Sequence, residues 1–142
     1  MADRVLVPFD GSPLSKRALR HAIETFPAAS ITTIFVINPI DSVLAVEAGG
    51  LPISESWYRE EKERATELQS TAIEIAAGSN VELDTAIETG KPARKILEFA
   101  DHHDFDHIVI GSHGRDGIER VFLGSVAETV IRRASVPVTI IR

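Results

Sequence analysis

The chain has 142 residues, of which 44% are hydrophobic and 25% are charged, so it is large enough to bury the core of one soluble domain without cross-links. It has no cysteine, which excludes disulfides, thiolate metal sites and cysteine nucleophiles. Its net charge is −6 and its basic residues never run beyond two in a row, which argues against a protein that binds nucleic acid. The apolar run 5–9 is too short for a signal peptide or a membrane helix, so we expect a cytoplasmic protein with one domain over residues 1–142 and no membrane contact.

The first predicted elements are a buried strand and an amphipathic helix. Residues 5–7 are apolar and β-branched or Leu, and Asp10 lies in the turn that stops this strand. Ser12 has the features of a helix N-cap, with Pro13 at the first helical position. Apolar residues then repeat at helical spacing as far as Phe26, where the following proline ends the helix.

The middle of the chain predicts a strand, a long connection, a helix and a second strand. Residues 31–37 are rich in β-branched side chains, which is typical of a strand. Residues 40–54 show no clear period and exceed the usual loop length, so we expect the segment to be either mobile or functional, and its apolar residues favour packing against a partner or a ligand. Residues 55–77 are polar on one side, as in a surface helix, and residues 81–87 alternate apolar and polar side chains, as in a strand with one solvated face.

The last third predicts two more helices and two more strands. Residues 90–92 open a helix, and residues 108–110 form a short apolar strand that we expect to be central. After a glycine-rich loop, Ser125 and Glu128 have the spacing of a capping box, which predicts a helix start at Ser125. Residues 136–141 are the final predicted strand.

The order of these elements predicts a doubly wound α/β fold. Strands that alternate with helices indicate a five-stranded parallel sheet covered by helices on both faces, for which we expect the strand order 3-2-1-4-5. Ligands of such sheets bind outside the carboxyl ends of the strands, where the strand order reverses. Two loops with unusual residues follow such strand ends, 10–12 and 111–125. The final strand lies at an edge in this order, and an exposed apolar edge favours pairing with another chain.

The second of these loops carries the strongest functional signal. Its glycines permit close approach of a ligand to the backbone. Gly124 and Ser125 open a helix, whose free N–H groups and dipole favour a phosphate group. Arg115 adds a cation that can form a charge-assisted hydrogen bond. The alternative, that the glycines only shape a strand-to-helix turn, stays open on spacing alone.

Two common catalytic or cofactor motifs are absent from the sequence. There is no Gly-x-x-x-x-Gly-Lys-Ser/Thr loop, so Walker-type hydrolysis is not indicated, and no Gly-x-Gly-x-x-Gly follows the first strand, which argues against a nicotinamide dinucleotide. Asp10, Ser12 and His113 are the residue types of a hydrolytic triad, but the chain lacks the Gly-x-Ser-x-Gly elbow.

Two further clusters are interpreted as structural. His102, His103 and His107 lie near acidic residues, but they span a helix end and a strand start, so we expect them to contribute to structure rather than to a metal site. Trp57 and Tyr58 are expected to anchor the start of their helix against the long connection, with stacking on a ligand as the alternative.

The glycine-rich loop has the pattern Gly111-x2-Gly114-x9-Gly124-Ser125, which is similar to the ATP-binding signature of the universal stress protein family. Three other segments resemble that family's first strand and turn, its glycine-proline turn and its closing strand, namely 5–12, 90–92 and 136–138. The resemblance covers essentially the whole chain. It implies a Rossmann-like fold of the adenine nucleotide alpha hydrolase type.

The resemblance also implies a function and a set of binding residues. We expect an ATP-binding stress-response protein that acts as a regulatory homodimer, paired through strand 136–141, and that passes its signal to a protein partner. AMP or ADP are alternative ligands. The implied nucleotide-binding residues are Pro8, Phe9, Asp10, Val36, Gly111, Ser112, His113, Gly114, Arg115, Gly124, Ser125 and Val126.

Within this set, the resemblance assigns separate roles. Asp10 contacts the adenine and the ribose, the backbone of Val36 meets the adenine edge, and the amides of 124–126 meet the phosphates. Phe9 stands where a small or β-branched residue is more usual. Mg²⁺ or Mn²⁺ is expected to bind through the phosphates, without protein side chains, since hard cations prefer oxygen ligands.

Two other functions are compatible with this architecture. The first is a slow ATPase or a nucleotidyl-transfer enzyme, but no general base or nucleophile is expected to face the phosphates, so at most slow hydrolysis is predicted. The second is a structural or chaperone-like dimer without nucleotide. In the preferred hypothesis, nucleotide orders the glycine-rich loop and the segment 40–54 and so changes the surface shown to a partner.

Overall fold

The computed structural model describes residues 2–39, 55–113 and 123–142. Within these ranges the chain forms five strands and four helices. In chain order they are β1 (Arg4–Pro8), α1 (Pro13–Thr25), β2 (Ser30–Ile37), α2 (Glu55–Ala76), β3 (Glu82–Thr89), α3 (Pro92–His102), β4 (His107–Gly111), α4 (Ser125–Arg133) and β5 (Val138–Ile141). Each predicted element in these ranges is present, with end points shifted by one or two residues.

The strands form one parallel sheet in the order β3-β2-β1-β4-β5, which confirms the predicted order. β1 is the central strand, with Val5 opposite both Ile31 and His107. β4 lies between β1 and the edge strand β5 and is largely buried, which confirms the predicted position of the fourth strand inside the sheet. The order reverses between β1 and β4, and this places the carboxyl ends of those two strands at the switch point of the sheet.

Helices cover both faces of the sheet because side chains of β1 alternate between them. Val5, Val7 and Phe9 pack against α1 and α2, whereas Leu6 packs against α3 and α4. The buried helix residues that meet these strands are Ala18, Leu19 and Ala22 of α1, Ala72 of α2, Ile96 and Ala100 of α3, and Ala127 and Val130 of α4. Full burial of one large apolar side chain stabilises a fold by about 1.5–3 kcal/mol, so these two layers hold the sheet together.

Helix α1 begins and is capped as predicted, whereas α4 begins at the predicted residue, Ser125, but has a different cap. The Ser15 amide donates to Ser12 Oγ at 3.2 Å, and Pro13 is the first helical residue. At α4 the N-cap is Gly124, and Ser125 is already helical, so the predicted capping box is wrong. The reason is a long-range bond: the Gly124 amide donates to the Ser112 carbonyl at 2.7 Å, which sets Gly124 as the last extended residue.

The final strand starts at Val138 rather than at residue 136. Pro137 has no N–H to donate to a ladder, although its carbonyl accepts from the Ile108 amide at 3.0 Å. The predicted edge position is confirmed, since β5 pairs with β4 alone among the described strands.

A buried polar pair fixes α2 on the sheet. Thr33 is fully buried and Gln69 is 3% exposed. The Thr33 hydroxyl donates to Gln69 Oε1 at 2.6 Å, and Gln69 Nε2 donates to the Ala86 carbonyl at 3.1 Å. The Gln69 side chain therefore bonds α2 to both β2 and β3.

We expect Gln69→Leu to lower the free energy of unfolding by about 1–3 kcal/mol, because it leaves the buried Thr33 hydroxyl without its partner. Adding Thr33→Val removes that orphaned group, so the double variant should recover most of the loss. Urea denaturation of both single variants and the double variant measures this. Additive losses in the double variant would show that the two side chains do not act as a pair.

Helix α3 ends in a Schellman motif that has an aspartate where glycine is usual. The Phe105 amide donates to the Ala100 carbonyl at 3.0 Å, and Asp104 between them has a φ of 56°. A left-handed conformation is unfavourable for a residue with a Cβ, and a carboxylate is unfavourable at a helix C-terminus.

We expect Asp104→Gly to raise the free energy of unfolding by about 0.5–1 kcal/mol, because it removes both penalties while adding some chain entropy to the unfolded state. Asp104→Asn is the matched control, since it removes only the charge and should give a smaller gain. Thermal or urea unfolding measures both, and a glycine variant less stable than the wild type would contradict the expectation.

Candidate functional site

The candidate site is the crevice at the carboxyl ends of β1 and β4. These two strands are neighbours, but the chain leaves them toward opposite faces of the sheet, into α1 after β1 and into α4 after β4. The turn 10–12 follows β1, and Ser112 and His113 follow β4. Two of the predicted functional segments thus come from adjacent strand ends.

The turn after β1 holds an acidic side chain in a defined position. Asp10 is half-buried, and its Oδ1 accepts from the Ser12 amide at 2.9 Å. Gly11 between them has a φ of +81°, and a Cβ there would lie 2.5 Å from Leu68 Cδ2 of α2. Glycine is favoured at this position by the backbone conformation, and the end of the Leu68 side chain packs into the space that a Cβ would occupy.

Three other predicted residues lie on β1 and β2 or directly after β1. Phe9 is 1% exposed and its side chain lies in the core beneath α1 and α2, so only its backbone borders the strand end. Its amide donates to the Ile34 carbonyl at 2.9 Å. Pro8 and Val36 are half-buried, and Val36 packs against the opposite layer of α3 and α4. The unusual phenylalanine therefore contributes its side chain to the core.

Ser112 ties the start of the glycine-rich loop to β5 and, across the neck of the loop, to Gly124. The Ser112 amide donates to the Ile141 carbonyl of β5, and the Ser112 carbonyl accepts from the Gly124 amide, both at 2.7 Å. Ser112 is 5% exposed, and its hydroxyl lies 3.2 Å from His113 Nδ1. A Cβ on Gly124 would lie 2.9 Å from the Ser112 carbonyl oxygen. Gly124, where the chain leaves the loop, therefore has no room for a larger residue unless the neck shifts. Gly114 and Arg115 lie outside the described residues.

Gly111 at the end of β4 is required by helix packing. A Cβ there would lie 2.9 Å from Leu14 Cβ and 3.1 Å from the Leu14 carbonyl carbon. The first turn of α1 thus sits directly on the end of β4. Two signature glycines, Gly111 and Gly124, therefore meet neighbouring protein atoms. Leu14 could not be predicted as the partner from sequence, because an apolar residue on a helix face does not reveal which strand end it contacts.

The N-terminus of α4 presents amide donors at the same end of the sheet. Among the described residues no side chain caps this helix, and its first backbone bond runs from the Glu128 amide to the Gly124 carbonyl at 2.9 Å. The amides of 125–127 consequently have no partner within the helix. Such a helix end favours an anion through its N–H groups and its dipole. Ser125 is exposed and Val126 half-buried.

The model of the universal stress protein family matches residues 1–142. The chain belongs to that family. The match spans the whole sequence, including the Asp10 turn, the neck at Ser112 and the start of α4 at Gly124.

Individual relatives agree with this assignment. Universal stress protein MJ0531 of Methanocaldococcus jannaschii is 35% identical over 144 residues, which cover 98% of this chain and 81% of that protein. Universal stress protein YxiE of Bacillus subtilis is 29% identical over 148 residues and is covered completely, as is this chain.

Solved structures share the fold. The structure of MJ0577 from the same archaeon superposes with a TM-score of 0.82 at 25% identity, over 98% of this chain and 94% of that one. A universal stress protein from Archaeoglobus fulgidus, solved in complex with dAMP, superposes with a TM-score of 0.71 at 26% identity, over 100% of this chain and 98% of that one.

The other clusters singled out in this universal stress protein have structural contacts. In the described ranges, no three histidine, aspartate or glutamate side chains are arranged to hold a metal ion. His107 Nε2 lies 2.7 Å from Thr139 Oγ1, and its ring centroid is 4.8 Å from that of Phe26. Trp57 and Tyr58 pack beside buried Phe35 and Ile37 at the start of α2. No helix in the described part of the chain is long and apolar enough to cross a bilayer.

Burial lowers the pKa of His107, an effect that the nearby Asp106 opposes and His21 reinforces. The unfolded chain therefore takes up a proton first as the pH falls below about 6.5, so the free energy of unfolding should decrease from there down to the folded-state pKa and then level off. Replacing His107 with glutamine should flatten this part of the curve. Urea denaturation of both proteins across that pH window measures it, and parallel curves would refute the expectation.

Proposed function

We propose that this universal stress protein binds an adenine nucleotide in the crevice between the ends of β1 and β4. The observation that carries the proposal is the placement of two unlike groups at the ends of neighbouring strands. The turn after β1 supplies the Asp10 carboxylate, an acceptor for base or sugar donors, and α4 supplies uncapped amides, which are donors for phosphate. The relative from Archaeoglobus fulgidus was solved with dAMP, and its structure superposes on the whole of this chain.

The proposed contacts divide by part of the ligand. Asp10 binds the ribose and adenine, with the backbones of Pro8 and Phe9 beside it and the Val36 backbone at the adenine edge. The backbone segments 111–113 and 124–126 bind the ribose and the phosphates. The sequence also predicts that Gly114 and Arg115 bind the ribose and the phosphates, but these two residues lie outside the described ranges.

The finer proposal is that the ligand is ATP, accompanied by Mg²⁺ or Mn²⁺ bound through its phosphates, and that its occupancy regulates a partner. A polyphosphate suits a helix N-terminus, because each added phosphate gives the amides more negative charge to bind. Slow hydrolysis is the alternative. The observation that favours it is a hydroxyl beside an imidazole near the neck, where Ser112 Oγ contacts His113 Nδ1.

Nucleotide binding is tested by the protein's own contents and by stabilisation. Freshly purified protein is denatured and the released small molecules are identified by mass spectrometry, with adenine nucleotide as the expected result. Thermal unfolding is then followed with adenosine, AMP, ADP and ATP, with and without Mg²⁺. A ligand at a hundred times its dissociation constant stabilises by about 2.7 kcal/mol, which is readily measured. No released nucleotide and no shift would favour the nucleotide-free dimer, and steady release of ADP from ATP would favour the enzyme.

We further propose that β5 pairs with β5 of a second copy. β5 is an edge strand with half-buried apolar residues, and α4, which leads into it, exposes Ile131 at 41%. Sedimentation should give the mass of two chains at micromolar concentration. Ile131→Glu should shift the mass toward one chain, whereas Ile73→Glu, which charges an exposed isoleucine of α2 on the other face, should not. A mass of one chain for the unchanged protein rejects the pairing.

A further inference from the structure

Helix α2 reaches the candidate site through one leucine. The position that a Cβ would occupy on Gly11 lies 2.5 Å from Leu68 Cδ2 and 3.8 Å from Leu68 Cγ. The side chain of Leu68 therefore sits against the open side of Gly11, the residue between Asp10 and Ser12. Gly11 has a positive φ in this turn, but glycine adopts positive and negative φ about equally readily, so the residue type alone does not hold the turn in one conformation. Contact with Leu68 supplies a steric reason for the turn to keep its conformation.

Leu68 itself is held firmly. Its side chain packs with the cluster formed by Phe35, Ile37 and Ala65. The next residue along the helix, Gln69, is bonded to Thr33 Oγ1 of β2 and to the Ala86 carbonyl of β3. The helical turn that carries Leu68 is thereby fixed to two strands by directional bonds as well as by apolar packing.

We propose that Leu68 is a positioning residue for Asp10, an inference that rests on the proposed nucleotide site. Leu68 supports Gly11, Gly11 connects Asp10 to Ser12, and the bond from the Ser12 amide to Asp10 Oδ1 at 2.9 Å sets the carboxylate direction. A shortened side chain at 68 leaves Gly11 free to sample other conformations, and the carboxylate then loses its fixed orientation toward the ligand. Preorganised groups bind more tightly because less ordering is needed on binding.

The first test requires no ligand. Amide hydrogen exchange of Ser12 is measured by NMR in the wild type, in Leu68→Ala and in Leu97→Ala. Leu97 is a half-buried leucine of α3 in the opposite layer, so its truncation controls for a general loss of packing. We expect about tenfold faster exchange of Ser12 in Leu68→Ala relative to the control, because the local opening of this turn becomes easier. Equal Ser12 exchange in the two variants would overturn the positioning role.

The second test is a double-mutant cycle in AMP affinity, measured by calorimetry. Leu68→Ala should weaken AMP binding about tenfold in the wild-type background and by less than about twofold in an Asp10→Ala background, since a residue that acts through Asp10 has no effect once that carboxylate is gone. Leu68→Met, which restores the volume, should recover most of the affinity and also serves if the alanine variant does not fold. Equal losses in both backgrounds would overturn the inference.

The two tests separate this inference from the proposed function. If the wild-type protein binds no AMP, ADP or ATP, the nucleotide proposal fails, and the Ser12 exchange rates still decide whether Leu68 holds the turn. If the wild type binds AMP but Leu68→Ala binds it equally well, the nucleotide proposal stands and the positioning role fails.

Discussion

Gly111→Ala is expected to lower the free energy of unfolding by about 3 kcal/mol, the upper end of the range for overpacked sites. The new methyl group would lie 2.9 Å from Leu14 Cβ and 3.1 and 3.3 Å from the carbonyl carbon and oxygen of the same residue. Backbone atoms of a helix cannot move aside as a side-chain end can. The whole first turn of α1, including its Ser12 cap, must therefore shift away from β4.

Two variants make the test of Gly111 specific. Gly78→Ala is the matched control: its φ is +90° but no atom lies within 4 Å of the added Cβ, so it should cost only about 1–2 kcal/mol for the left-handed conformation. Leu14→Ala should not rescue Gly111→Ala, because the Leu14 Cβ and carbonyl group remain. Urea denaturation measures all of these proteins. A Gly111 variant no less stable than the Gly78 variant would show that the strand end has more room than the structure indicates.

Gly124→Ala is expected to remove the contribution of the phosphates to nucleotide affinity. Gly124 has φ −65° and ψ 159°, which alanine adopts without strain, so the effect comes from the contact of the new methyl group with the Ser112 carbonyl oxygen at 2.9 Å. Relief of that contact lengthens the 2.7 Å bond at the neck and displaces the first amides of α4. The ratio of ATP affinity to adenosine affinity should fall at least about tenfold, or ~1.4 kcal/mol.

The measurement is the affinity for adenosine, AMP and ATP, by calorimetry, in the wild type and two variants. Asp10→Ala is the comparison variant, because under the proposed function its carboxylate binds the nucleoside part. It should weaken adenosine and ATP by the same factor and leave their ratio unchanged. Gly124→Ala should do the opposite. If Gly124→Ala weakens adenosine and ATP equally, the amides at the start of α4 do not bind phosphate.

Sequence patterns predicted the fold well because the information they carry is local. The alternation of apolar strands with helical stripes predicted the parallel sheet, its order and its two covered faces, which the structure confirms. The Ser12 cap followed by Pro13 was also confirmed, since a cap bond joins residues three apart. The two loops at the switch point were found the same way, from their place after a strand.

Errors arose where a distant residue decided the outcome. Ser125 was predicted to cap α4, but the Ser112 carbonyl, reached only when β4 and α4 have packed, makes Gly124 the cap instead. The side chain of Phe9 continues the alternation of Val5 and Val7 into the core, so its predicted contact with a ligand would come from its backbone. That alternation was available in the sequence, so the core position of this side chain could have been predicted.

What the amino-acid sequence by itself determined is which segments are strands, which are helices, which faces are apolar and where the glycine-rich loop lies, because each depends on neighbours within a few residues. Only the tertiary structure decided why particular glycines are needed. Gly11 meets Leu68, Gly111 meets Leu14, and Gly124 meets Ser112. A glycine in a sequence marks freedom of the backbone, but the atom that fills the space beside it comes from another element and is set by packing.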